Sequence, residues 1–198
     1  MGQSDRLQNR QRCQVHHLTL AEVPLAGTYE TLGLDRALAL VGAARRVGWP
    51  VLAVDGGTAL TISAADAAGR FAGGAIWPGL SLQGRSLHQA TAALPLVTFE
   101  HSQLPLPERW ATSTGDAICS GILYSAIAAV RDYCLDWRLR YPNSPIAFLG
   151  GDGQLLQQAL ALGNSYCDPT LVLQGIAACR ELNRTERGGF EPPNGLTR

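Results

Sequence analysis

Asp55 ends the apolar run Val51 to Val54 and leads into Gly56-Gly57-Thr58-Ala59-Leu60-Thr61. An acid leaving a buried strand into a turn of small residues suits phosphate and cation chemistry. Glycines let backbone N–H groups approach phosphoryl oxygens, threonines add hydroxyl donors, and the carboxylate can hold a metal ion or order water. The same stretch also fits an ordinary Asp-Gly hairpin turn between apolar flanks. A second acid, Asp35, stands beside Arg36 at the start of a helical pattern. A carboxylate near an attacking hydroxyl, with donors around a phosphate, meets the needs of phosphoryl transfer, which depends on positioning and charge neutralisation. The Arg36 fork matches the geometry of a carboxylate ligand. The plainer reading makes Asp35 a first-turn acid favoured by the helix dipole and Arg36 its solvated neighbour. Gly150-Gly151, after the apolar stretch Pro145 to Leu149, would let backbone approach the adenine or ribose side of a nucleotide.

These residues need an alternating frame to hold them. Leu34, Leu38, Val41, Ala44 and Val47 recur at helical spacing until Gly48 and Pro50 stop the helix, and Val51 then begins a strand. Thr61 to Ala65 and Arg70 to Ile76, around the turn Asp66-Ala67-Ala68-Gly69, predict two more strands in an antiparallel meander. Helices are predicted over Leu80 to Ala93 and over Ser113 to Arg140, the latter with Ile118, Ile122, Ala126, Ala129 and Tyr133 on one stripe. Pro145 to Leu149 reads as a short buried strand before a helix from Gln154 to Leu162. Pro169 to Leu173 reads as a last edge-like strand before a helix through Cys179. The pattern is an α/β sheet covered by helices.

Composition narrows the classes. A chain of 198 residues, 46% hydrophobic, can bury a real core. Its 16 basic residues balance 16 acidic ones, so no basic field points to nucleic acid or to a membrane surface, and a small ligand is expected. Five cysteines (Cys13, Cys119, Cys134, Cys167, Cys179) without a Cys-x-x-Cys pair argue against a disulfide framework or a zinc site and predict reduced thiols in a cytoplasmic protein. The longest apolar runs are broken by glycine and charge and fall short of a bilayer span. His16-His17 lacks a third ligand at metal spacing, and Trp77 and Trp110 read as packing or interface aromatics. Met1 to Gln14 and Asn183 to Arg198 read as irregular ends.

Six segments occur in one order: Gly33-Leu34-Asp35-Arg36, Asp55 to Thr61, Gly73-Gly74-Ala75-Ile76-Trp77-Pro78-Gly79, Ala90 to Pro95, Ser113-Thr114 with Ala117-Ile118 and Gly121, and Gly150-Gly151-Asp152. Together, over about Leu20 to Ile176, they resemble type III pantothenate kinase. The resemblance implies a ribonuclease-H-like fold of the acetate and sugar kinase, Hsp70 and actin superfamily. It implies phosphorylation of pantothenate by ATP with Mg2+, the first step toward coenzyme A, with a monovalent cation (K+ or NH4+) and a homodimer.

Carried over by position, the resemblance makes Asp35 the general base and places Gly33, Leu34 and Arg36 around the substrate. Tyr29 and Thr114 become further substrate contacts, Asp55 the cation ligand and Thr58 an ATP phosphate contact. Family members also begin with an Asp-x-Gly-Asn-Thr turn that binds ATP phosphates, and the residues before Gly33 do not show it. The expected organisation is therefore a remnant of the first half with a connecting helix over 1–50, a largely complete second half over 51–182, and a tail over 183–198. In that arrangement Leu18, Leu20, Val23 and Leu25 would be left partly exposed. An alternative follows, in which the chain is a catalytically impaired remnant that acts as a binding or dimerisation module.

Overall fold

The computed structural model describes residues 15–99 and 105–187. The expected lead-in Met1 to Gln14, with Cys13, lies outside the described residues, as does the end of the chain from residue 188. Five strands form one sheet in the order β3-β2-β1-β4-β5. They are β1 (Val51–Gly56), β2 (Ala59–Ala65), β3 (Phe71–Pro78), β4 (Ile146–Leu149) and β5 (Ser165–Cys167). Strands β1 to β3 are an antiparallel meander, while β4 runs parallel to β1 and β5 parallel to β4. Five helices cover the sheet: α1 (Leu34–Val47), α2 (Leu80–Ala90), α3 (Thr114–Arg140), α4 (Gly153–Leu160) and α5 (Leu171–Arg187).

The period-two geometry of β1 divides the core into two layers. Val51 and Ala53 face a cluster with Leu38, Leu40 and Val41 of α1 and Leu171 and Cys179 of α5. Leu52 and Val54 face the opposite cluster, with Leu80 of α2, Ile122, Leu123 and Val130 of α3, and Leu155 and Leu156 of α4. A central strand covered on both faces must be apolar at every step, which is why Val51 to Val54 reads as an unbroken run. Phe148, from β4, is fully buried in the second cluster. Complete burial of such a side chain contributes about 1.5–3 kcal/mol.

Helix α1 has its acid, Asp35, in the first turn and Arg45 and Arg46 in the last, the arrangement the helix dipole favours. It stops at Gly48, whose φ of 77° is left-handed and whose N–H bonds the Ala44 carbonyl at 2.7 Å. Helix α5 lies against α1 so closely that a Cβ on Gly42 would collide with the Leu171 carbonyl. Helix α3 is long and apolar enough by length and composition to cross a membrane. That departs from the expectation that no run reaches such a length. Its apolar residues Ile118, Ile122, Ala126 and Val130 are buried against the sheet, as in the core helix of a globular unit.

Three expectations are corrected. Pro169 to Leu173 is not a strand: α5 begins at Leu171, and the edge strand is the shorter Ser165–Cys167. Helix α5 also continues to Arg187, through the position where an irregular tail was expected to begin. Val23 and Leu25, expected to be partly exposed, are each only 6% exposed, whereas Leu18 and Leu20 are partly exposed as expected and pack against the same cluster. The layer of α1 and α5 covers this segment, and Ala26 bridges to Arg70 beside β3. Of the described cysteines, Cys134 and Cys179 are buried and Cys119 and Cys167 partly so, all as free thiols.

Candidate functional site

Asp55 occupies the next odd position of β1 after Val51 and Ala53, so strand alternation points it to the α1 layer. Its antiparallel partner is Thr61 of β2. Asp35 enters the same layer from the first turn of α1, where its Oδ1 accepts a hydrogen bond from the Arg36 main-chain N–H at 2.8 Å. Burial raises the Asp55 pKa above its ordinary 3.8, and the negative charge of Asp35 raises it further. The fold thus places two carboxylates that are twenty positions apart in sequence within electrostatic reach of each other. Asp55 stands at the carboxyl end of the parallel pair β1 and β4, the edge at which open α/β sheets bind ligands.

The turn after Asp55 is held by main-chain bonds. Gly57 N–H donates to Ala59 O at 3.2 Å, Gly79 N–H to Thr58 O at 2.9 Å, and Asp152 N–H to Gly56 O at 2.8 Å. The last of these ties the Gly56-Gly57-Thr58 turn to the turn that follows β4. Gly150 there has φ 79°, and a Cβ on it would collide with Asp55 Oδ1 and the Gly56 carbonyl. Only glycine lets the two turns approach this closely. Thr58 is exposed on the tip. β1 and β2 are joined through Gly57-Thr58, so the hairpin reading and the site reading describe the same backbone.

The remaining predicted residues fall in two places. Gly33 is the N-cap of α1 and Leu34 its first residue. Tyr29, 46% exposed, lies over the same corner, its hydroxyl accepting from Arg36 Nη1 at 3.2 Å and its ring edge-on to Phe71 at 5.7 Å. Arg36 is buried rather than solvated, bonded through Nε to Ser63 Oγ at 2.8 Å and through Nη2 to the Ile62 carbonyl at 3.2 Å. Thr114 is apart from these. It is the exposed first residue of α3, in the opposite helical layer, behind the N-cap Ser113. No hydrogen bond joins it to the other site residues among those described.

Sequence reasoning missed Ser63 and Phe71. A signal for Ser63 was present, because it alternates with Thr61, already read as a hydroxyl donor, along an otherwise apolar strand, and so marks one face. His16 bonds Glu22 at 2.8 Å. No group of three or more His, Cys, Asp or Glu side chains could hold a metal ion among the described residues. Asp55 Oδ1 and the Gly56 carbonyl, which accepts from Asp152 N–H, both crowd the place a Cβ would take on Gly150. That donor set fits a weakly held cation bound by one carboxylate and main-chain oxygen better than a cage of acids.

A five-stranded sheet with a three-stranded antiparallel meander, two further parallel strands and helices on both faces defines a ribonuclease-H-like α/β protein. Its candidate site lies at the carboxyl end of the central strand. The chain belongs to the type III pantothenate kinase family, a family of enzymes, whose sequence model matches residues 5–136. A type III pantothenate kinase of Synechococcus sp. (strain JA-3-3Ab) is 51% identical over 175 residues, which cover 87% of this chain and 71% of that relative. One from Synechococcus elongatus is 50% identical over 160 residues, covering 80% of this chain and 63% of the relative. The crystal structure of a Baf family protein from Campylobacter jejuni shares the fold, with a TM-score of 0.63 at 22% identity over 83% of this chain and 71% of that one.

Proposed function

We propose that the chain phosphorylates pantothenate to 4'-phosphopantothenate with ATP, in the cytoplasm, as the first step of coenzyme A biosynthesis. The observation that carries this reading is Asp55 at the carboxyl end of β1 with Asp35 within electrostatic reach of it, in a chain 51% identical to a type III pantothenate kinase. Asp35 takes the proton from the pantothenate hydroxyl as its oxygen attacks the γ-phosphorus of ATP. The bond from that phosphorus to the bridging oxygen breaks, and ADP leaves with the electron pair. Asp35 suits this role because its carboxylate is exposed at the helix start, where substrate can reach it.

Tyr29, Gly33, Leu34 and Arg36 form the wall beside Asp35, and Thr58 offers its hydroxyl to an ATP phosphate from the exposed turn. Mg2+ bound with ATP neutralises charge on the phosphates. Asp55 and the Gly56 carbonyl would hold K+ or NH4+. Thr114 projects from the opposite layer, where it would close the substrate site only across a further surface. A homodimer is part of the same reading, supported by large apolar side chains left in solvent: Trp110 at 87%, Leu139 at 83% and Leu135 at 51% exposure. The alternative, a binding or dimerisation module without catalysis, would keep this exposed apolar surface and lose the chemistry. Incubating the purified chain with pantothenate, ATP, Mg2+ and K+ separates the two. Formation of phosphopantothenate that stops in Asp35→Asn supports the kinase; a folded, dimeric chain without product supports the module.

A further inference from the structure

Arg36 is 7% exposed, although it sits one residue from the exposed Asp35. An unpaired guanidinium would be costly to bury, and this one is met on several sides. Nε donates to Ser63 Oγ at 2.8 Å, Nη2 to the Ile62 carbonyl at 3.2 Å and Nη1 to the Tyr29 hydroxyl at 3.2 Å. The Phe71 ring lies 5.8 Å from the guanidinium carbon. Ser63 is itself only 2% exposed, and a Cβ on Gly74, its partner across β3, would collide with Nη2. The cradle is therefore shaped around this side chain. The main-chain N–H of the same arginine donates to Asp35 Oδ1 at 2.8 Å. A single residue thus links β2, through its guanidinium, to the candidate base, through its backbone.

We propose that Ser63 is a positioning residue for Asp35: by anchoring the Arg36 guanidinium to β2, it fixes the first turn of α1 and aims the Asp35 carboxylate at the reacting hydroxyl. This rests on the kinase reading of Asp35. It gives Arg36 a different task from gripping the carboxylate of the substrate. A base displaced by about 1 Å can lose on the order of a hundredfold in rate, so the anchor should register in turnover.

The test compares wild type, Ser63→Ala and Ser63→Thr, with Arg36→Lys used to assign the Arg36 Nε–H resonance in 15N-labelled protein. In wild type that proton exchanges slowly with water. Ser63→Ala speeds its exchange by about tenfold or more, and Ser63→Thr, which keeps the hydroxyl, restores protection. In turnover, Ser63→Ala lowers kcat by about 10- to 100-fold with little change in KM for pantothenate, and Ser63→Thr recovers most of it. Discrimination between pantothenate and its alcohol analogue, which lacks the carboxylate, stays as in wild type. Unchanged Nε–H exchange in Ser63→Ala overturns the proposal, as does unchanged kcat. A loss confined to KM, together with lost discrimination against the alcohol, also overturns it and assigns Arg36 to the substrate carboxylate. If wild type itself makes no product, the kinase reading fails on that result, and Nε–H exchange alone decides whether Ser63 anchors Arg36.

Discussion

Asp35 lies near enough to Asp55 for its charge to raise the Asp55 pKa, adding to the larger effect of burial. The first carboxylate comes from a helix start and the second from the end of the central strand, so the pairing is a product of the α1 layer packing on β1. Their mutual repulsion makes a cation at Asp55 favourable and gives the site a measurable electrostatic signature.

Asp35→Asn should lower the Asp55 pKa while leaving it above 3.8, because the charge is removed but burial, the larger cause, remains. Carboxyl 13C titration of both proteins measures this. An Asp55 titration identical in the two would show that the carboxylates do not interact.

Asp55 should also make the fold less stable as pH rises. Its folded pKa lies above the unfolded value, so both states are protonated at pH below 3.8, and no penalty exists there. As pH climbs through the raised folded pKa, the folded state must carry a disfavoured charge, and stability is lost. Asp55→Asn should therefore melt at a higher temperature than wild type at pH 7 and at the same temperature near pH 3. Each 1 kcal/mol gained corresponds to about 2–4 °C at this chain length. A lower melting temperature for the mutant at pH 7 would contradict this account of Asp55.

Potassium should offset that penalty. At ten times its Kd, a bound cation stabilises by about 1.4 kcal/mol. Thermal melts at pH 7.5 in KCl and in tetramethylammonium chloride should differ for wild type and coincide for Asp55→Asn. Equal melts for wild type would remove the cation from the site.

Gly42→Ala tests the contact between α1 and α5. Its methyl group would meet the Leu171 carbonyl, and overpacking of this kind destabilises by about 1–3 kcal/mol. A melting temperature lower by several degrees is expected, and an unchanged one would show that the helices separate without loss.

Much of this was legible from local pattern. Val51 to Val54 announced a buried strand and Asp55 stood out as the charge near its end, although β1 runs on to Gly56. Leu171-Val172-Leu173 was misread because a short apolar run after proline suits either period. In the structure the helical spacing wins: Leu171 and Cys179 are buried, while Leu173 is 65% exposed. Ser165–Cys167 escaped notice because three partly buried residues carry no alternation. The cover over Val23 and Leu25 was also invisible, since it depends on α5 folding back onto α1 from far along the chain. In the site, Asp35 and Asp55 could be picked out by type. The bond from Arg36 to Ser63 could not, because it spans 27 positions and depends on how α1 sits on β2.

The central claim, that Asp35 is the base of a pantothenate kinase, is tested most directly by steady-state turnover of pantothenate with ATP, Mg2+ and K+ in wild type and Asp35→Asn. The account predicts product from wild type and a kcat lower by about 10²- to 10⁴-fold in the mutant, with pantothenate still bound. Undiminished turnover in Asp35→Asn, or none in a folded wild-type chain, would contradict it.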